Sequence, residues 1–233
     1  MGTHNDSVAL GKEWFCTQTG LPVPTLARSQ VERWWHLVQR AGLTREALVE
    51  TAGRSAAMLT LGWLGDNWST QRVVVLAGSG WLAAVAMGAA RNMANRGVNV
   101  RLWPQALASS DPLLQTQYHL YRQTGAQVVD GTELVGETAG VVLVGSDAPL
   151  TDEVRAWVTQ SGAEVVRLGE TLDELAAAAT LVLGLPVADT RYTGQVYLAD
   201  VGVPLAVYEQ LGLYHRFIFG QQYIIPLYPL VQT

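Results

Sequence analysis

Apolar residues recur at helical spacing in two segments near the start of the chain. Ser29, followed three residues later by Glu32, has the pattern of a capping box and predicts the start of a helix that closes at Gly42. A second amphipathic pattern begins after Thr44 and ends near Gly62. The sequence therefore predicts two consecutive N-terminal helices.

From Arg72 onward, short apolar runs alternate with helical patterns. Helices are predicted over residues 81–95, 111–124 and 152–161. The apolar runs are RVVVLAG, NVRLW, AQVVD, GVVLVG, AEVVRLG, ATLVLGL and QVYLAD. Continuous apolar strands separated by helices are typical of a parallel sheet covered on both faces. The predicted fold class is α/β: a three-layer α/β/α, Rossmann-like sandwich with a mostly parallel sheet, preceded by two N-terminal helices.

Length and composition favour one large domain. The 233 residues can bury a substantial core, and 49% of them are hydrophobic and 15% charged, as in globular proteins. Residues 1–22 are predicted to form an N-terminal arm, and residues 23–233 the domain itself. No internal repeat and no convincing linker divides that domain.

Charge and cysteine content narrow the class of protein. A formal net charge of −5 argues against electrostatic binding of nucleic acid along the whole chain. A local patch of arginines could still bind RNA. Cys16 is the single cysteine, which excludes an internal disulfide and fits a reducing compartment. The chain shows no apolar run of transmembrane length and no secretory pattern. We predict a cytoplasmic protein without a membrane partner.

The segment Gly78-Ser79-Gly80 follows a strand and opens a helix, as phosphate-binding turns do. Trp81 stands where the helix N-terminus would meet a ligand. A dinucleotide site also needs a carboxylate near the end of the next strand, and that region, VNVRLWP, has none. A turn that simply packs the helix close to the strand is the alternative. Gly78, Ser79, Gly80 and Trp81 are thus candidate ligand-binding residues.

Two further candidates, Ser146 and Asp147, follow the strand GVVLVG, at the carboxyl end where α/β sites lie. Serine, aspartate and proline are also ordinary turn residues, so a structural role is the alternative.

The four histidines are scattered without ligand spacing, and no metal site is predicted. Adjacent Trp34 and Trp35 cannot both be buried by one helix face, so one of them is predicted to mark a contact surface.

Three ordered motifs between about Leu21 and Leu230 resemble the YjeF N-terminal domain family. They are LVETAGRSAA, VLAGSGWLAAVAMGAARNMANRG and GQVYLADVGVP. The family's enzymes are NAD(P)H-hydrate epimerases with a Rossmann-like fold. The resemblance therefore implies that fold and a relationship to enzymes that act on hydrated NAD(P)H.

The same alignment shows that the family's polar residues are replaced. After its G-x-G turn the family carries two asparagines, two glycines, an aspartate and a glycine, where this chain reads WLAAVA. By this resemblance, the position of the catalytic acid/base aspartate is Val85, which cannot carry a proton. The position of an aspartate that helps hold potassium is Val141. The family's proline-serine-glycine-leucine-aspartate segment is missing or rewritten around LGETLDEL.

Other segments resemble the degenerate YjeF-type domain of the enhancer of mRNA decapping protein, a homodimerising scaffold. They are LPVPTL, LVLGLPVADTRYTGQVYLADVGVP and LGLYHRFIFGQQYIIPL. We predict a catalytically degenerate, homodimeric binding or scaffolding module, open to a protein partner. No cofactor is expected beyond a weakly bound nucleotide or NAD(P) derivative. The alternative is a divergent NAD(P)H-hydrate epimerase.

Overall fold

The computed structural model describes residues 15–105, 110–134, 138–170, 172–213 and 217–230. The strands are β1 (Phe15–Cys16), β2 (Pro22–Val23), β3 (Arg72–Ala77), β4 (Asn99–Pro104), β5 (Gln127–Val128), β6 (Val141–Gly145), β7 (Glu164–Leu168), β8 (Ala179–Leu183), β9 (Gln195–Ala199) and β10 (Ile224–Pro229). The helices are α1 (Val31–Arg40), α2 (Arg45–Leu64), α3 (Gly80–Ala94), α4 (Pro112–Arg122), α5 (Asp152–Ser161) and α6 (Leu205–Gln210).

The strands form one sheet in the order β2-β1-β10-β9-β8-β7-β6-β3-β4-β5. All neighbouring pairs from β3 to β9 are parallel, and β10, β1 and β2 continue the sheet as antiparallel strands. Along β3, Val73 and Val75 join the apolar cluster under α1 to α4, whereas Val74 and Leu76 join the cluster under α5. This alternation confirms the predicted α/β/α layers and the mostly parallel sheet.

The helix starts were predicted with mixed success. α2 begins after Thr44 as predicted, and Thr44 caps it, because its Oγ1 accepts a hydrogen bond of 3.2 Å from the Ala47 N–H. The capping box of Ser29 and Glu32 is wrong. A short 3-10 turn precedes α1, and the Gln30 side chain accepts from the Ala27 N–H instead.

Part of the predicted N-terminal arm belongs to the sheet. Phe15 pairs with Pro229 of β10 and with Val23 of β2, and the Thr17 carbonyl and hydroxyl close the turn between the two short strands. Residues 1–14 lie outside the described part of the chain. The division between an arm of residues 1–22 and a domain of residues 23–233 stays a prediction.

The sheet has a topological switch point between β3 and β6. From β3 the chain runs to β4 on one side, and after β5 it returns to β6 on the other. The loops that follow β3 and β6 therefore leave in opposite directions and open a crevice at the carboxyl ends of the strands. Ligands of open α/β sheets bind in such a crevice.

Candidate functional site

The structure brings the candidate residues of both loops together at the switch point. The Asp147 N–H donates to the Ser79 carbonyl over 3.0 Å, and the Ser79 N–H donates to Ser146 Oγ over 3.3 Å. The Gly78 N–H donates to the Gly145 carbonyl over 2.8 Å. The loop after β3 is therefore bonded directly to the loop after β6, across the crevice that a ligand would enter.

The Asp147 carboxylate occupies the N-terminus of α3. Its Oδ2 accepts a hydrogen bond of 2.5 Å from the Trp81 N–H and a longer one of 3.4 Å from the Leu82 N–H. These are among the first N–H groups of the helix, which have no partner within the helix and attract anions. An aspartate of the chain itself thus sits where a phosphate would be held in a nucleotide-binding turn.

The two glycines of the turn make room for these side chains. A Cβ on Gly80 would lie 2.0 Å from Asp147 Oδ2. Gly80 also has a φ of +67°, a backbone conformation that residues with a side chain rarely adopt. A Cβ on Gly78 would lie 2.3 Å from Ser146 Oγ. The close approach that the glycines permit is made by residues 146 and 147.

Asp147 is held in a partly desolvated environment. Burial raises the pKa of Asp147 above its ordinary value, although the Trp81 and Leu82 N–H groups and the charge of Arg45 act in the opposite direction. The residue as a whole is nevertheless exposed, so the carboxylate is held by backbone donors at the open mouth of the crevice.

Three tryptophans flank this turn. The ring of Trp81 meets Trp35 edge to face at a centroid distance of 5.1 Å, and Trp35 meets Trp34 in the same way at 4.8 Å. Trp34 is only 4% exposed and belongs to the core, so of the adjacent pair only half-buried Trp35 is available to a contact surface. Trp81 stands at the mouth of the crevice, where the sequence predicts it.

A cavity of about 280 Å³ lies beside the turn, under Trp81. Its walls are mostly apolar and come from the start of the chain, α1, α3 and the ends of β7 and β8. The lining residues are Leu26, Arg28, Val31, Trp34, Trp35, Trp81, Leu82, Asp147, Gly169, Glu170, Leu172, Val182, Leu183, Leu185, Val187 and Tyr192.

An ion pair ties together three segments at this cavity. Arg28 Nη2 donates to Glu170 Oε2 over 2.5 Å and to Thr190 Oγ1 over 2.6 Å, and Arg28 Nη1 reaches Glu170 Oε1 over 3.3 Å. The pair with Glu170 raises the pKa of Arg28. This contact links the N-terminal segment to the loops that follow β7 and β8.

A buried ion pair supports the loop after β7, which carries Glu170. Arg167 Nη2 donates to Asp173 Oδ1 over 2.6 Å, and the two side chains are 1% and 2% exposed. Asp173 also accepts from the N–H groups of Leu150 and Leu175. Burial opposes ionisation of Asp173, but the hydrogen bond and charge of Arg167 outweigh it and lower the pKa of Asp173. This pair was not predicted, although an arginine inside the apolar strand AEVVRLG is a signal of a buried partner.

The residues at the family's catalytic and potassium positions lie away from the cavity. Val85 is a residue of α3 and is fully buried in the core, and Val141 is 1% exposed at the amino end of β6, opposite Val73 and Glu164. Neither residue lines the cavity beside the turn. Within the described residues, no group of three or more His, Cys, Asp and Glu side chains is arranged to hold a metal ion.

Membrane insertion finds no support in the described helices, since none of them combines the length and apolar character that crossing a bilayer requires.

Known proteins show similarity to most of the chain. The family model "YjeF-related protein N-terminus" matches residues 45–144. Enhancer of mRNA-decapping protein 3 of Macaca fascicularis is 27% identical over 92% of this chain and 46% of its own length. The chain thus spans about half of the decapping relatives it matches. An NAD(P)H-hydrate epimerase of Dehalogenimonas lykanthroporepellens is 30% identical over 76% of this chain and 80% of its own.

The fold has a solved counterpart. The crystal structure of the yeast protein ynu0 superimposes with a TM-score of 0.70, covering 88% of this chain and all of that one, at 13% sequence identity. At this identity the similarity establishes the shared fold alone.

Proposed function

Because the chain belongs to the YjeF N-terminal family, we propose that it is a catalytically degenerate member that serves as a dimeric binding or scaffolding module. One observation carries the proposal: the Asp147 carboxylate takes the helix N-terminal donors that a phosphate would need. The similarity to the decapping enhancers, which extends over 92% of this chain, supports a role outside catalysis.

The absence of a proton carrier at residue 85 supports the loss of epimerase chemistry. Val85 is apolar and fully buried, and the three residues before it, Leu82 to Ala84, offer no polar side chain. A general acid/base must lie within hydrogen-bond reach of the proton it moves, and loss of one typically reduces the rate by about 10² to 10⁴. The other polar groups of the family loop are replaced as well, so their contributions are lost together.

We expect the purified protein to show no epimerisation of hydrated NADPH above the spontaneous rate. The assay follows the S/R mixture with time, and an active family enzyme in the same buffer is the control. A measurable enzyme-dependent rate would instead support the alternative, a divergent epimerase, which the 30% identity to the Dehalogenimonas enzyme favours.

Dimerisation is the second part of the proposal. Since Trp34 is buried in the core, it does not form the contact surface. The most exposed large apolar side chain among the described residues is Phe217, which is 83% exposed and borders a surface groove with Leu205 and Phe219. Exposed apolar surface of this kind often marks a protein contact.

We expect light scattering at tens of micromolar to give twice the chain mass of 25.2 kDa. Phe217→Ser is expected to weaken the dimer at least tenfold without changing the fold, because this side chain is mostly exposed. Trp68→Ser removes another exposed aromatic residue, 41% exposed, and serves as the matched control. A monomer at these concentrations would contradict the proposed dimer.

The last part of the proposal concerns nucleotide affinity, partners and cellular location. Nucleotides are expected to bind with a dissociation constant poorer than about 100 μM, since the helix N-terminal donors are already engaged by Asp147. A protein partner and a cytoplasmic location fit the lone cysteine and the scaffold role, and RNA contact stays open at a net charge of −5.

A further inference from the structure

We propose that a second groove, at the amino end of β9, binds a free α-amino acid with an aromatic side chain as its zwitterion. This amino-end groove lies between the crossover that joins β8 to β9 and the strands β10 and β1. In the sheet, β9 stands four strands away from β3. The proposal therefore goes beyond the proposed function, because it depends neither on dimerisation nor on the turn after β3.

The crossover from β8 to β9 forms one wall of the groove. The two strands are parallel neighbours, and the connection, residues 184–194, contains no helix. It must therefore run back across the sheet from the carboxyl end of β8 to the amino end of β9. Tyr192 packs there on the apolar cluster of β9 and β10, and its ring meets Phe15 edge to face at a centroid distance of 5.9 Å. The Tyr192 hydroxyl also accepts a hydrogen bond of 2.8 Å from the Val187 N–H, which holds the crossover together.

Size and wall chemistry favour a small ligand with an aromatic ring. The groove has a volume of about 450 Å³, within the range of roughly 300–1,000 Å³ that is typical of small-molecule sites. Its apolar lining residues are Phe15, Val187, Tyr192, Val196 and Leu227. Two of them are aromatic, and aromatic rings pack well against one another by their faces and edges.

Two charged residues of the crossover, Asp189 and Arg191, also line the groove. Both are exposed, and neither side chain makes a hydrogen bond or an ion pair with another described residue. Among the described residues, Asp189 is also the one non-glycine residue with a left-handed backbone, at φ of +56°. Residues in such sparsely populated conformations cluster at binding sites. A carboxylate and a guanidinium that lack partners match the ammonium and the carboxylate of a zwitterion, one for each charge.

Gln195 adds a polar group of defined orientation. Its Nε2 donates to the carbonyls of Val196 and Leu227, both over 3.1 Å, which leaves Oε1 as an acceptor in the lining of the groove. An ammonium group has three donors, so Asp189 and Gln195 can bind it together. A ligand with only a negative or only a positive charge would leave one of the two charged residues without a partner.

The test is an NMR titration of the full ¹⁵N-labelled chain with L-phenylalanine. We expect the backbone N–H of Gly194 and the side-chain amide of Gln195 to shift with a dissociation constant on the order of 1 mM, at the weak end of the affinity scale. Gly125, which precedes β5 at the opposite edge of the sheet, should not shift. Gln195→Ala identifies the side-chain signal.

Three related probes separate the groups of the ligand. N-acetyl-L-phenylalanine lacks the ammonium charge, and L-phenylalaninamide lacks the carboxylate. Each should bind about fivefold more weakly than L-phenylalanine, the upper end of the effect of an exposed ion pair. Glycine keeps both charges but has no ring, and we expect it to cause no shift at the same concentrations.

Two variants assign each charge to its partner. Asp189→Asn removes the charge and keeps a residue that tolerates the left-handed backbone. It should reduce the preference for L-phenylalanine over its N-acetyl derivative to about twofold or less, and leave the preference over the amide unchanged. Arg191→Gln should have the opposite pattern. Asp66→Asn and Arg54→Gln, at exposed residues outside the groove, are the matched controls and should change neither preference.

Three results would overturn the proposal. The first is the absence of any shift at about 20 mM L-phenylalanine. The second is equal or tighter binding of the N-acetyl derivative, which would indicate the carboxyl terminus of a peptide instead of a free amino acid. The third is that both preferences persist in both variants. None of these results bears on the epimerase assay or on light scattering.

Discussion

Asp173→Asn is expected to lower the free energy of unfolding by about 3–5 kcal/mol, the typical effect of removing one partner of a buried ion pair. Arg167 is 1% exposed, and the substitution would leave its charge buried without a counter-charge. The loop after β7 would also lose part of its anchor, since Asp173 binds the N–H groups of Leu150 and Leu175. Urea denaturation at fixed protein concentration measures the change as a shift of the midpoint.

The matched control is Asp152→Asn, which removes the partner of Arg155 in an exposed pair. The Asp152 side chain is 94% exposed, so this substitution is expected to cost far less stability than Asp173→Asn. Equal costs for the two substitutions would contradict the importance of the buried pair.

The pH dependence of the same pair gives a second check. The pKa of Asp173 is lowered in the folded state, so its contribution to stability is complete above the unfolded carboxyl value of about 3.9 and is lost as the pH falls through the folded value. The difference in unfolding free energy between the parent protein and Asp173→Asn should therefore be constant from pH 7 to about pH 4 and shrink below it. A difference that persists unchanged at the lowest pH would show that charge is not its source.

Val85→Asp, which restores the family's acid/base residue, is expected to destabilise the protein by about 4 kcal/mol or more at pH 7. Val85 is fully buried within an apolar cluster, where an unpaired carboxylate has lost its water. We expect no gain of epimerase activity, because a side chain at residue 85 points into the core and not into the cavity. Thermal or urea unfolding of the variant measures the cost.

The neutral variant Val85→Asn separates charge from polarity. Burial raises the pKa of an introduced carboxyl group, so the penalty of Val85→Asp grows as the pH rises above about 3.9. The two variants should be nearly equal in stability near pH 4 and diverge toward pH 8. A stable Val85→Asp protein with epimerase activity would support the divergent enzyme instead.

The layered fold was predictable because its signals are local. The apolar strand RVVVLAG and the helical pattern that follows it appear in the sequence as β3 and α3, and α5 has the predicted bounds. β10, by contrast, carries Pro226 and Pro229, and such residues argue against a strand. It joins the sheet because its pairing with β9 and β1 is decided by distant segments.

The candidate site also combines features that have local sequence signals with features that depend on distant segments. The sequence by itself determined that Gly78 and Gly80 form a tight turn between strand and helix, that residue 85 is apolar, and that Asp147 follows a strand at its carboxyl end. Only the tertiary structure decided that Asp147 reaches the N-terminus of α3, 66 residues away from Trp81, and that Trp34 lies in the core. Spacing and composition show which groups are present. Whether a carboxylate meets the N-terminus of a distant helix, or a tryptophan lies in the core, depends on which strands become neighbours. The packing of the whole sheet decides that.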